Sequence, residues 1–354
     1  MIRSVQIENY KCFPEFQINL TKFSVLIGKN DSGKTAFLES LRLLAAEPPG
    51  TNIEVSPDSV LGKESVWRQR GNEFCITAEW ASSEPRGMLF QVKSSKKGGT
   101  LHFDLLGGSA GLIQEKKAEI FSQSMARTAY YQLTPQALRQ ASQLSAQMNR
   151  FGEGFPTFLD DINRSSRIAF SELEKEFYSR FPYYEMIILG KTNVPEKRGG
   201  ADGRFEFIMK DAFKLSFRSV NGEILGSASV SDGVMLSLAY VAICNQPEPP
   251  KILLIEEPEN GVHYASLQAI VSTLRELTKK KDVQVILTTH SPYLLDLVEP
   301  DEVYLFSKDQ IGAGQVKRMS DYPEVDEMKK HFNTGEIWTN LLDKDLLGTE
   351  GKGR

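Results

Sequence analysis

Cysteine is scarce in this chain: Cys12, Cys75 and Cys244 are the only three among 354 residues, and their separation fits no metal-ligand pattern. That argues against a disulfide framework or a zinc site and fits a reducing compartment. Basic charge is not in excess either. The net charge is −4, so nucleic-acid binding would have to rest on a local basic patch. No apolar run approaches membrane-spanning length, and Met1-Ile2-Arg3-Ser4 opens an alternating strand pattern rather than a signal peptide. A cytoplasmic protein without membrane contact is expected. Heptads are not sustained, which speaks against a long coiled coil, and no internal repeat is visible. What remains is ordinary for a soluble globular protein, with 40% hydrophobic and 25% charged residues. The length exceeds what one compact core usually holds, so a core with a substantial insertion or second lobe is expected.

What is present is organised around Gly28-Lys29-Asn30-Asp31-Ser32-Gly33-Lys34-Thr35. The apolar run Phe23 to Ile27 precedes it and a helical pattern, Ala36 to Leu44, follows, so strand, glycine-rich turn, Gly-Lys-Thr and helix together form a P-loop. Gly28 and Gly33 let the backbone fold tightly. Successive N–H groups through Asn30 and Ser32, and the helix N-terminus, then point at phosphate oxygens. Lys34 would reach the β- and γ-phosphates and the Thr35 hydroxyl would ligate Mg²⁺. The loop is expected to bind a nucleotide.

Along the chain, residues 1 to 27 read as two strands, Ile2 to Ile7 and Phe16 to Ile27 with a break. Pro48-Pro49-Gly50 stops the first helix, and a polar loop to about Ser59 is expected. Alternating runs at Glu73 to Trp80, Met88 to Val92 and Leu101 to Leu105 predict an antiparallel sheet with a turn at Ser94 to Gly99. Helical spacing marks Lys116 to Ala129, Pro135 to Met148 and Ser165 to Phe181. A loop rich in Gly, Lys and Pro is expected between Lys191 and Gly203. Strand signals return at Phe205 to Met209, Phe213 to Ser219 and, after the Asn221-Gly222 turn, Glu223 to Leu225.

Three further stretches carry chemistry. Lys251 to Ile255 is a continuous apolar strand ending in Glu256-Glu257-Pro258, which places two carboxylates at a sheet's C-terminal edge, where α/β ligand sites form. Glu256 would hold the Mg²⁺ shell and Glu257 would polarise the attacking water. One helix later, Val283 to Thr288 ends in Thr289-His290-Ser291-Pro292, where a histidine that senses the γ-phosphate would fall. Val230-Ser231-Asp232-Gly233 precedes the apolar helix Val234 to Cys244, a further anion site at a helix N-terminus. By itself Ser-Asp-Gly is only a helix cap. One protomer already has its phosphate cradle, so a second makes sense if it closes over a partner subunit's nucleotide.

The ordered set of P-loop, Ser-Asp-Gly, Ile-Glu-Glu-Pro-Glu-Asn-Gly and Thr-Thr-His-Ser-Pro resembles the ABC-type ATPase heads of the RecF/SMC/OLD group, AAA-type ATPases of DNA maintenance and phage defence. Ile7 to Phe13 is similar to that group's opening Asn-aromatic-basic motif, which implies Lys11 near the phosphates. By the same resemblance Lys34 and Thr35 are Walker A, and Glu256 and Glu257 are Walker B and catalytic base. Ser231 and Gly233 belong to the signature loop, Asn260 to His263 to the D-loop, and His290 to the switch. Tyr130 to Leu133 falls where a Q-loop would. Phe151 to Pro156, Leu159, Phe170, Leu173 and Phe181-Pro182 are similar to the helical arm of small ATPases of the group.

The resemblance implies an α/β fold: an ABC-type head with a mixed core sheet and an antiparallel β-lobe, interrupted by a helical insertion. The expected division is 1–108 for the first half of the head, 109–200 for the arm, 201–345 for the second half and 346–354 for a flexible tail. The implied activity is ATP hydrolysis with Mg²⁺, in a head-to-tail homodimer that controls a DNA contact or an effector. Glu256 in place of Asp lengthens the reach to Mg²⁺ and implies slow turnover. The signature also lacks the basic or amide residue many relatives carry after it, which implies altered contacts with the partner subunit. OLD nucleases append a metal-dependent Toprim domain, whereas about 64 residues follow His290, so the effector (a nuclease or toxin) is expected on a separate chain. The alternative is a RecF-like DNA-repair clamp or loader, with Arg68, Arg70, Lys93, Lys96 and Lys97 as candidate DNA contacts. A transporter subunit is disfavoured by the insertion and by the Asn-Tyr-Lys opening.

Overall fold

The alternation in the first ten residues produces a strand with one buried face. β1 (Ile2–Tyr10) turns Ile2, Val5, Ile7 and Tyr10 inward and continues antiparallel into β2 (Phe13–Asn19). The computed structural model describes residues 1–47, 52–54, 73–81, 88–94, 100–106, 123–199 and 205–341. The turn at 95–99 and the tail 346–354 lie outside these residues, as do Arg68, Arg70, Lys96 and Lys97. By internal contacts the chain divides into two units, described in turn. The first comprises Met1–Tyr130, Pro250–Glu257 and the chain from Asp282 onward.

The first unit holds two sheets. An antiparallel sheet has the order β2-β1-β5-β6-β7-β4, with β4 (Asn52–Glu54), β5 (Cys75–Trp80), β6 (Met88–Ser94) and β7 (Thr100–Leu106). β4 falls inside the stretch expected to be loop and pairs antiparallel with β7. The second sheet, in the order β16-β15-β3-β14-β13-β8, is built on β3 (Phe23–Gly28). Its other members are β8 (Thr128–Tyr131), β13 (Ile252–Glu256), β14 (Gln284–Thr289), β15 (Val303–Lys308) and β16 (Gly314–Arg318). β13, β14, β3 and β15 run parallel to one another, and β16 pairs antiparallel with β15. Their unbroken apolar runs are those of strands covered on both faces, and β3, β13 and β14 are buried throughout.

Helix α1 (Lys34–Leu44) leaves the phosphate loop and buries Phe37, Leu38, Leu41, Leu43 and Leu44 in one cluster with residues of both sheets. Each such side chain contributes about 1.5–3 kcal/mol on leaving water. Directly beneath the loop is an aromatic group. The Phe16 ring lies 4.3 Å from Phe13 and 5.7 Å from both Phe37 and Phe306.

In the second unit, α2 is short (Pro135–Leu138), and the helix expected to reach Met148 stops there. The chain forms instead the strand β9 (Ser142–Gln143), which pairs with β11 (Phe205–Ser219). Thr157 provides the competing partners: its N–H donates to Ser142 Oγ at 3.0 Å and its hydroxyl to the Gln143 carbonyl at 2.9 Å. Thr157 lies on α3 (Phe155–Ser165), which is followed by α4 (Arg167–Arg180), close to the predicted helix. The segment read as a loop from Lys191 belongs to a long strand, β10 (Tyr184–Gly199), paired along its length with β11. Pro195 is tolerated because β10 is an edge strand, where a missing N–H costs no ladder bond on the open side. β12 (Ile224–Gly226) completes this sheet. Helix α5 (Asp232–Asn245) is buried from Gly233 to Cys244, which explains why its sequence is apolar all round. Helix α6 spans Tyr264–Lys280, and the short α7 (Pro292–Leu295) and α8 (Val325–Met328) return to the first unit. No helix of the described residues is long and apolar enough to cross a membrane.

Candidate functional site

The order of the second sheet brings the motifs together. β14 lies between β3 and β13, with Thr288 opposite both Leu26 and Glu256. The C-terminal ends of three adjacent parallel strands therefore carry the phosphate loop, His290 and the Glu256-Glu257 pair. This edge is where an open α/β sheet presents its ligand site.

The loop is built so that only glycine fits at both ends. A Cβ on Gly28 would stand 2.2 Å from the Phe306 carbonyl oxygen. Gly33 has φ 104°, and a Cβ there would lie 2.8 Å from Cys12 Sγ and 2.9 Å from the Phe13 ring. Between them, Asp31 takes a left-handed φ of 64° and its carboxylate pairs with Lys308 at 2.6 Å. Lys34 is 5% exposed, and its ammonium donates to the carbonyls of Gly28 (2.8 Å) and Lys29 (3.0 Å), with Ser32 Oγ at 3.4 Å. Those oxygens are acceptors that a phosphate could replace. Ser32 is buried, whereas Asn30 and Thr35 are exposed, Thr35 in the first turn of α1. Lys11, at φ 50°, ion-pairs with Glu39, one turn beyond Thr35 on the same helix. The β1–β2 turn is thereby tied to the helix that starts at the loop.

Glu256 ends β13 and is 6% exposed, and its Oε1 is buried without a hydrogen-bond partner. A buried carboxylate oxygen left unmet is costly, and a cation would satisfy it. Among the described residues no group of three or more His, Cys, Asp or Glu could hold a metal ion. Mg²⁺ needs no such cluster, because it takes one or two protein oxygens and completes its shell with water and phosphate. The next residue, Glu257, has φ 45°, a strained conformation for a side chain of this size. Its N–H donates to the Thr288 carbonyl at 3.0 Å, and its Oε1 lies 3.3 Å from His290 Nε2. Both side chains are about one-third exposed, so the pair is open to a ligand.

Ser231 and Gly233 belong to the second unit, at the start of α5. Ser231 occupies the N-cap position, is exposed, and makes no capping bond through its hydroxyl. Gly233 is buried against α6, where a Cβ would meet Ser266 Oγ at 2.8 Å. The D-loop stretch also lies in this unit, with Gly261 at φ 77° and His263 capping α6 through Nδ1. Gln132, of the Q-loop stretch, donates its N–H to the Arg150 carbonyl. Sequence reasoning missed Arg139. Its guanidinium reaches the carbonyls of Ser227 and Val230 and the carboxylate of Asp232. Two of those acceptors are backbone atoms some ninety positions away, so no motif marks the residue.

The fold is similar to solved heads of SMC proteins. The SMC head domain from Thermotoga maritima aligns with a TM-score of 0.52 at 11% identity, over 90% of this chain and 98% of that one. An SMC head bound to the C-winged helix domain of ScpA gives 0.59 at 12% identity, over 89% and 96%. The SMC head from Pyrococcus furiosus, bound to the C-terminal domain of ScpA, gives 0.56 at 11%, over 93% and 99%. In sequence, 49 residues are 43% identical to ABC transporter G family member 22 of Dictyostelium discoideum, a stretch covering 14% of this chain and 8% of that protein. Residues 114–296, just over half of the chain, match the family model described as "AAA domain, putative AbiEii toxin, Type IV TA system". With an ABC/AAA-type P-loop ATPase head for its fold, the chain belongs to this AAA-domain family.

Proposed function

We propose that this chain is a magnesium-dependent ATPase of the ABC/OLD kind, whose site is completed by a second copy. The observation that carries the reading is the 3.3 Å approach of Glu257 Oε1 to His290 Nε2, on the sheet edge that also bears the phosphate loop. In this reading Gly28, Asn30, Ser32 and Gly33 form the cradle, and the Lys34 ammonium exchanges loop carbonyls for phosphate oxygens. The Thr35 hydroxyl and the Glu256 carboxylate hold Mg²⁺, which when bound neutralises charge on the polyphosphate. Glu257 orients the attacking water and accepts its proton, while His290 holds the Glu257 carboxylate and monitors the γ-phosphate. Lys11 contributes positive charge beside α1. Ser231 and Gly233 of the partner subunit close the site with the N-terminus of α5.

The output is control of a separate effector protein, a nuclease or toxin, in phage defence, with helices α3 and α4 in the arm that transmits closure. Membership in a family described by a toxin–antitoxin system supports an output of that class. The SMC-type fold favours a second reading, a RecF-like clamp whose output is ATP-dependent DNA binding, with the exposed Lys93 among its contacts. The reading is tested by light scattering of Glu257→Gln. With ATP and Mg²⁺ it forms a stable dimer that ADP does not support. A variant that stays monomeric with ATP, or hydrolyses at the wild-type rate, overturns the reading.

A further inference from the structure

We propose that Arg139 is a positioning residue for hydrolysis: it holds the Ser231-Asp232-Gly233 segment in the conformation that engages the partner's nucleotide. The proposal rests on the two-protomer site described above.

Arg139 caps the C-terminal end of α2. Its Nε donates to the Ser227 carbonyl at 3.0 Å, and its Nη2 lies 2.6 Å from both the Val230 carbonyl and Asp232 Oδ1. Ser227 answers by donating its hydroxyl to the Arg139 carbonyl at 3.2 Å. One guanidinium thus fastens the stretch 227–232 at three points, which only a planar fork can do. Ser231 stands between two of those points, its hydroxyl exposed and uncommitted to capping.

Charge gives the clamp a second role. Asp232 is the first residue of α5, so its carboxylate lies at the helix end that is to receive a polyphosphate. Left alone it would repel that anion. Arg139 neutralises it while leaving the Ser231 hydroxyl and the α5 N–H groups free to act. Gly261, at φ 77°, sets a backbone beside the same pair, where a Cβ would lie 3.5 Å from Asp232 Oδ2. The signature and D-loop stretches therefore meet at one ion pair.

Because the clamped segment serves the partner's nucleotide, loss of Arg139 should act across the dimer. Arg139→Ala alone should lower turnover by at least tenfold while its own ATP binding stays at the wild-type value. Lys34→Ala alone is inactive because it lacks a working phosphate loop. Mixed in equal amounts, the two variants build one intact site per mixed dimer, and phosphate release should recover to roughly a quarter of wild type under random pairing. Lys34→Ala mixed with Ser231→Arg is the control. Recovery in both mixtures supports the proposal. Recovery in the control alone overturns it and leaves the two-protomer site standing. Recovery in neither overturns the two-protomer site and this proposal with it. Should the alanine variant fail to fold, Arg139→Lys replaces it in the same mixtures: it keeps the charge, loses the fork, and is expected to fall between wild type and loss.

Discussion

Glu257 and His290 meet at 3.3 Å although neither strand end alone would bring them together. β13 delivers Glu257 in a left-handed conformation, its N–H bonded to the Thr288 carbonyl of β14, and His290 follows two residues beyond that carbonyl. The backbone that bends Glu257 is thus the backbone that carries its partner. This relationship explains why the two acids of the Glu-Glu pair have different environments. Glu256 completes the buried strand, whereas Glu257 is turned out to a half-open position.

That bend makes a prediction about stability. Glycine adopts φ 45° without strain, so Glu257→Gly should raise the unfolding free energy by about 1 kcal/mol. The same change should abolish turnover. A denaturant titration alongside a phosphate-release assay checks both, and a destabilised variant would show that no strain is held there.

Gly33 should tolerate nothing larger. With φ 104° and a Cβ position 2.8 Å from Cys12 Sγ, Gly33→Ala combines backbone strain with a collision. The expected cost is about 2–4 kcal/mol, with nucleotide binding weakened at least tenfold. Adding Cys12→Ala should return part of the stability by removing one of the two colliding groups. Equilibrium unfolding of the single and double variants measures this.

Glu256 tests the metal. Its buried, unpartnered oxygen should make Glu256→Gln at least as stable as wild type without ligand. Nucleotide with Mg²⁺ should raise the wild-type unfolding temperature above that reached with nucleotide alone. The variant should lose that increment, and an increment of wild-type size would remove Glu256 from the metal shell.

The parts of the fold that were legible in the sequence are those with continuous apolar runs ending in chemistry. β3, β13 and β14 and helix α1 stand within a few residues of their predicted places, because short apolar runs bounded by turn residues are the pattern of strands covered on both faces. β10 is different: Pro195 and the surrounding Lys and Gly suggest a loop, and the chain forms a strand. Edge pairing to β11 outweighed propensity, and that partner lies too far along the chain to be read locally. The helix predicted over Pro135 to Met148 failed for a related reason: Thr157 offered Ser142 and Gln143 better hydrogen bonds than another helical turn would. At the site, the sequence marks which strand ends carry the motifs but not their geometry. Nothing in the sequence announces the left-handed Glu257, the Lys11–Glu39 pair or the three-point grip of Arg139.

If Glu257 activates water for hydrolysis of a nucleotide held by the phosphate loop, its amide variant should bind ATP and fail to cleave it. The rate of phosphate release from ATP with Mg²⁺, for wild type and Glu257→Gln at saturating ATP, tests this role most directly. Wild type should release phosphate slowly but measurably, and the variant should lose about 10²- to 10⁴-fold of that rate with ATP binding retained. Equal rates in the two proteins would contradict that role.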